Sequence, residues 1–234
     1  MKSYQKNSER FISRVFKDVF DKYDLMNDLM SLGIHRLWKK KFISYLNPKI
    51  NTKLVDVASG TGDIAKLFLE KIGYQGNAYC VDENKDMLDL SKKKINLSSK
   101  AKWFCNNAEK LPFDNNFFDY YTISFGIRNV ENIDIALKEA FRVLKPGGKF
   151  FCLEFSKVEN ENLDLLYANY SKILPLVGKL VLGDSMPYKY LTESIKNFID
   201  QKTLIELMMK NGFENCSYRN LSGGVAAIHS GWKI

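Results

Sequence analysis

Leu54-Val55-Asp56-Val57-Ala58-Ser59-Gly60-Thr61-Gly62-Asp63-Ile64 runs from an apolar strand into a turn with two glycines and straight out into a helical pattern. Lys53–Val57 reads as a buried strand and Asp63–Ile72 as the helix that follows it. Glycine suits the turn because a side chain there would hold a ligand away from the backbone. Ser59, just before Gly60, is small, as a tight turn requires. Open α/β sheets bind ligands at the carboxyl ends of their strands, where the strand order reverses. This stretch therefore marks both a fold and a site.

Outward from it the same alternation continues. Asn77–Val81, Ala101–Cys105, Phe118–Ser124 and Lys149–Phe155 read as strands, with helices over Lys85–Asn96 and Ile133–Leu144, the latter closed by Pro146-Gly147-Gly148. Apolar strands alternating with helices predict a doubly wound, mostly parallel α/β sheet covered on both faces. Phe11, Val15, Val19 and Tyr23 recur at helical spacing near the N-terminus, and residues 160–211, including the apolar run Ile173–Leu182, read as consecutive helices. Asn215–Asn220 and Val225–Ser230, around Ser222-Gly223-Gly224, read as a terminal hairpin. The expected organisation is a single domain over 1–234. It comprises a helical lid (1–50), a cofactor-binding core (51–156), a helical substrate-side insertion (157–211) and the hairpin (212–234).

The glycines leave the ligand ambiguous, since Gly60, Gly62 and Ala65 also satisfy a dinucleotide fingerprint. The acids narrow it. Asp56, just before the turn, would repel a pyrophosphate but can hold an ammonium group. Asp82 ends the next strand, where it can accept from both hydroxyls of a ribose. Asn107-Ala108-Glu109, followed by Leu111-Pro112-Phe113, forms a turn suited to adenine. Each acid alone would pass for a cap or a surface turn. Together they describe a cationic ligand that bears a nucleoside and no phosphate: S-adenosylmethionine fits, a nicotinamide dinucleotide does not.

Composition bounds the rest. Of 234 residues, 45% are hydrophobic and 26% charged, which is ordinary for a folded globular chain. The start, Met1–Arg10, is polar and lacks the apolar core of a secretory signal, and no run is long enough to span a bilayer, so residence in the cytoplasm is expected. Cys80, Cys105, Cys152 and Cys216 are far apart, three of them in strand-like runs, so buried inert thiols are expected and no metal. The net charge of +8 comes mostly from lysine, 29 against 6 arginines, scattered apart from Lys39-Lys40-Lys41 and Lys92-Lys93-Lys94. Arginine dominates bidentate phosphate and base readout, so a solvated surface is the reading and no nucleic-acid partner is expected.

Two longer stretches carry a resemblance. Tyr23-Asp24-Leu25-Met26-Asn27, continuing through Ser31, His35 and Trp38, and Arg142-Val143-Leu144-Lys145-Pro146-Gly147-Gly148 through Glu154 are similar to signatures of the ubiquinone/menaquinone biosynthesis C-methyltransferase family. Ile123-Ser124-Phe125-Gly126-Ile127-Arg128-Asn129-Val130 and Gly223-Gly224-Val225-Ala226 resemble it as well. The likeness spans nearly the whole chain. It implies a seven-stranded class I methyltransferase fold with its last strand antiparallel, and methylation of a ring carbon of a polyprenylated benzoquinol or naphthoquinol. It also implies that Thr61, Asp82, Asn107, Ala108 and Ser124 bind the cofactor.

Carbon methylation needs the electron-rich quinol, whose hydroxyl titrates near ~10 and must share or lose its proton as the methyl moves. Arg128 and Asn129, just beyond the strand carrying Ser124, are the expected wall against the quinol oxygen, with Arg128 stabilising phenolate charge; equally, Arg128 would pair with an acid and shape its loop. His35 and Asp24 are the alternative bases, although a histidine beside Trp38 also reads as a packed or capping residue. Tyr23, Met26, Met30, Trp38, Tyr188 and Tyr190 would pack the lid or line an entrance for the prenyl tail, and Glu154 would orient a lid group. Such a substrate lives in a bilayer, so Lys39–Lys41 and Ile173–Leu182 are the stretches that would meet a membrane surface; both also read as a solvated turn and a packed helix. An RNA methyltransferase is the rival enzyme, but the stretch from Ser124 has neither a Pro-Pro loop nor a catalytic cysteine. A non-catalytic scaffold of a quinone-synthesis complex is the rival of another class. The sequence leaves open benzoquinol against naphthoquinol, and whether the chain works as a homodimer or inside such a complex.

Overall fold

The structure is a computed structural model that describes residues 28, 31, 33–94, 99–159 and 186–234. The expected helical pattern over 11–23, Asp24 as a base, and the apolar run Ile173–Leu182 lie outside these residues. Helix α1 (His35–Leu46) leads into β1 (Thr52–Val57), α2 (Asp63–Lys71), β2 (Gly76–Asp82), α3 (Lys85–Lys94) and β3 (Ala101–Cys105). Then come β4 (Phe118–Ser124), α4 (Ile133–Val143), β5 (Leu144–Phe155), α5 (Met186–Asn197), α6 (Gln201–Lys210), β6 (Glu214–Leu221) and β7 (Ala226–Trp232).

The seven strands form one sheet in the order β3-β2-β1-β4-β5-β7-β6. β1 pairs in parallel with β2 and β4, while β7 runs antiparallel to both β5 and β6. The sheet is thus mostly parallel with its last strand reversed, as expected. The inner strands are buried on both faces along most of their length, as largely apolar runs require, with Asp56 and Thr122 as buried polar exceptions. One face packs on α1 and α2 through Phe42, Leu46, Phe68 and Leu69; the other packs on α4 and α6 through Leu137, Ala140, Leu204 and Met208. α1, placed in the expected lid, is thereby built into the core: the Phe42 ring meets Phe151 edge-on at 5.8 Å.

Two local readings change. Helix α4 stops at Val143, and β5 begins at Leu144 rather than at Lys149. Leu144 already pairs with Phe118 before the register shifts, so Lys145-Pro146-Gly147-Gly148 forms an irregular stretch inside a long strand. Cys80 and Cys152 are buried, but Cys105 is exposed because it ends the edge strand β3. In the turn that follows Asn107-Ala108-Glu109, the Phe113 ring packs 4.8 Å from both Phe104 and Phe118 in an aromatic cluster.

Candidate active site

The strand order reverses between β1 and β4, and the loops leaving these two strands form the crevice. After Val57 the chain enters the left-handed region at Ala58 (φ 51°) and again at Gly60 and Gly62, with Gly62 (φ 80°) capping the start of α2. Asp82 holds the turn from the next strand: its Oδ2 accepts from the Gly60 amide at 2.8 Å and its Oδ1 from the Asn84 amide at 2.9 Å. The loop after β4 closes on the same place. A Cβ on Gly126 would collide with that of Ala58, so only glycine lets the two loops touch.

Asp56, Ser59, Gly60, Thr61, Ser124 and Lys39 are among the residues around the resulting cleft, which is partly open to solvent. Asp56 lies opposite Thr122 in the β1–β4 register and takes a 2.8 Å hydrogen bond from its hydroxyl on Oδ1. Oδ2 of Asp56 and Oγ of Ser124 are buried without a partner. Burial pushes the Asp56 carboxyl up to about 7, and burial likewise raises Asp82. Leaving a buried carboxylate oxygen unmatched costs about 1–3 kcal/mol or more, and native interiors leave few polar atoms in that state. A ligand with an ammonium group would satisfy it.

Lys39 reaches this cleft from α1. Although it belongs to the lysine run read as solvated, its ammonium sits 2.8 Å from Oδ2 of Asp63, the first residue of α2, and the residue is buried. Lys40 and Lys41 are exposed. One turn earlier on the same helix face, His35 is buried with Nε2 2.8 Å from Oδ1 of Asp28, and its Nδ1 has no partner. Desolvation lowers the His35 pKa despite the opposing carboxylate, which favours the neutral ring.

Three residues beyond Phe125, and outside the cleft lining, Arg128 has a nearly enclosed side chain. It donates from Nη1 to Oε1 of Glu154 at 2.7 Å and to the Phe125 carbonyl at 2.6 Å, and Glu154 is fully buried. Asn129 Oδ1 accepts from the Tyr190 hydroxyl at 3.1 Å. Trp38 packs near Phe125 and Phe155 and donates from its indole to Ser222 at 3.0 Å, tying α1 to the β6–β7 turn.

Of the site residues read from the sequence, Asp56, Gly60, Thr61 and Ser124 surround one cleft, Gly62 caps the helix beneath it, and Asp82 joins it through Gly60. Asn107 and Ala108 stand further along the strand tips, connected by the Asn106 amide to the Asp82 carbonyl at 3.2 Å. Asn107 Oδ1 accepts from the Glu109 amide, and Ala108 is buried. The sequence reading missed Lys39, Asp63, Thr122 and Asp28. Strand parity carries a signal for Thr122, two residues from Ser124. Helical spacing carries one for Lys39, four residues after His35 and four before Ile43.

A seven-stranded sheet with one reversed strand and a ligand cleft at the tips of β1 and β4 defines a class I methyltransferase. Within that class the chain belongs to the ubiE/COQ5 methyltransferase family, whose model matches residues 3–233. A ubiquinone/menaquinone biosynthesis C-methyltransferase UbiE from Rickettsia prowazekii (strain Madrid E) is 51% identical, over 95% of this chain and 92% of that protein. Among solved structures, a SAM-dependent methyltransferase from Thermotoga maritima, described as a possible histamine N-methyltransferase, shares the fold with a TM-score of 0.66 at 21% identity, over 94% of this chain and 99% of that one. A phosphoethanolamine N-methyltransferase from Haemonchus contortus, solved with S-adenosylhomocysteine, gives a TM-score of 0.63 at 14% identity, over 84% of this chain and 52% of that one. Among the described residues no helix is long and apolar enough to cross a membrane.

Proposed function

We propose that this chain transfers a methyl group from S-adenosylmethionine to a ring carbon of a polyprenylated quinol: 2-polyprenyl-6-methoxy-1,4-benzoquinol, demethylmenaquinol or both. The observation that carries the reading is Asp56, a buried carboxylate lining the cleft, one oxygen of which meets no donor. Family membership supports the acceptor class. S-adenosylmethionine, when bound, supplies a methyl group already made electrophilic by its sulfonium.

Asp56 would hold the ammonium of the amino-acid end, with Gly60, Thr61 and Gly62 shaping the backbone around it. Asp82, while keeping the Gly60 amide, has lone pairs left for ribose hydroxyls. Asn107 and Ala108 would border the adenine, and Ser124 the reacting end. On the acceptor side His35 would take the quinol proton. Asp28 fixes Nε2 as the protonated nitrogen, burial favours the neutral ring, and Nδ1 has its lone pair available. Arg128 and Asn129 would face the quinol oxygen. Glu154 offsets much of the Arg128 charge, so the residue would act chiefly by fixing the loop that presents Asn129. Asn129 accepts from the Tyr190 hydroxyl on Oδ1, which leaves its amide protons for the oxygen.

The prenyl tail keeps the acceptor at a bilayer. Exposed Leu37, with Lys40 and Lys41 beside it on α1, is a described surface suited to anionic lipid at the cytoplasmic face. The test of the reaction is an assay of purified protein with S-adenosylmethionine and short-chain demethylated acceptors, each offered as quinol and as quinone. Methyl incorporation detected by mass with the quinol alone is expected. Equal methylation of the quinone, or of neither form, would overturn the proposal.

A further inference from the structure

We infer that Lys39 is the carboxylate-binding residue of the cofactor cleft, so that Asp56 and Lys39 together read the two charged ends of an amino-acid group. The inference rests on the S-adenosylmethionine reading above. Lys39 is the one cationic side chain among the described residues around the cleft, which also holds Asp56 and Asp63. An amino-acid group carries an ammonium and a carboxylate on one carbon. The orphaned Oδ2 of Asp56 answers the first. The second would enter a cleft bearing two acids and be repelled unless a cation faced it.

Lys39 is placed for that task. Its ammonium has three donors in total, and one meets Asp63 Oδ2 at 2.8 Å. Its charge is felt at Asp56, whose carboxyl it draws downward against the burial effect. The stem is packed with α1 onto the core beside Trp38 and Phe42, so the head group is held at little further cost in side-chain freedom. A lysine that merely pinned α1 to α2 would do so as well at the rim, in water. This one is enclosed at the cleft, where a charge-assisted bond to a ligand carboxylate is strongest.

The test is binding, measured by calorimetry on the full chain, of S-adenosylhomocysteine and of its decarboxylated analogue S-adenosyl-3-thiopropylamine, which keeps the ammonium. Wild type should prefer the carboxylate-bearing ligand by about ten- to hundredfold. Lys39→Met should bring the two affinities within about threefold by weakening only the first, and Lys39→Arg should restore part of the preference. Asp63→Asn, which breaks the α1–α2 ion pair but leaves the ammonium, should keep the preference. If Lys39→Met weakens both ligands equally, or Asp63→Asn abolishes the preference as Lys39→Met does, Lys39 is only a brace and the inference fails. If wild type binds neither ligand, the cofactor reading itself fails.

Discussion

Oδ1 of Asp56 accepts a 2.8 Å hydrogen bond from the Thr122 hydroxyl, whereas Oδ2 of the same carboxylate meets no donor. The β1–β4 register sets this asymmetry: it pairs the two residues across the sheet, so that one oxygen of a cleft-lining carboxylate is matched and the other is not. A group so placed makes the free protein less stable and the bound one more so, and that trade is measurable.

With its pKa at about 7 against an ordinary 3.8, folded Asp56 holds a proton that the unfolded chain has already released between those values. The folded state binds more protons there, so the group's contribution falls as pH rises through that window, by on the order of 4 kcal/mol in all. Asp56→Asn should therefore raise the urea midpoint of the ligand-free protein at pH 8 while weakening S-adenosylhomocysteine binding by about tenfold or more. An ammonium partner favours the charged carboxylate, so wild-type affinity should rise with pH up to about 7 and binding should release a proton. Calorimetry in buffers of different ionisation enthalpy counts that proton, and Asp56→Asn should release none.

His35 should appear in the pH dependence of turnover. Desolvation places its pKa below the ordinary 6.5, so the wild-type rate at saturating quinol should stay level above that value and fall only in more acidic solution. His35→Gln should remove this acid limb and lower kcat by about 10²–10⁴, with S-adenosylhomocysteine affinity little changed. An unchanged profile in the variant would remove the residue from the chemistry.

The Arg128–Glu154 pair should behave as a brace. Arg128→Met strands a buried carboxylate, which costs about 3–5 kcal/mol when ionised. Burial already raises the Glu154 pKa, and without the guanidinium the group escapes by taking a proton. The loss of stability should thus be larger at pH 8 than at pH 5.5, read from urea unfolding. Adding Glu154→Leu to Arg128→Met should recover much of it.

His229 sets an acid limit on the fold. It is 1% exposed on β7, with Tyr218 at 5.8 Å, and burial lowers its pKa to about 4. Between about 4 and 6.5 the unfolded chain binds the extra proton, so stability is full above that window and is lost as pH falls through it, by about 3 kcal/mol. His229→Leu should flatten the decline, measured as the difference in urea midpoint between pH 7 and pH 4.5.

Local pattern carried most of the fold. The run through Asp56 to Ile64 declared its strand, turn and helix because backbone conformation and burial there are both written in adjacent residues. The start of β5 was not legible, since Pro146 and two glycines read as a helix stop and only the pairing of Leu144 with Phe118 draws them into the sheet. At the site, Asp56, Gly60 and Asp82 could be read because their roles follow from lying at strand ends. An acid beside Arg128 was expected and is Glu154, but the identity of that partner, like the pairs Lys39–Asp63 and His35–Asp28, could not be read, because each partner is chosen by tertiary packing. Lys39 was hidden further by its neighbours: in a run of three lysines, only the helical phase set by Trp38, Phe42 and Ile43 turns one of them inward.

The most direct measurement is a crystal structure of the protein with S-adenosylhomocysteine soaked or co-crystallised. The ammonium nitrogen should lie within hydrogen-bond reach of Asp56 Oδ2, with the ribose hydroxyls on Asp82 and the nucleoside running towards Asn107. A ligand seated elsewhere, or one over Gly60 and Gly62 with Asp56 Oδ2 still unmatched, would contradict the account.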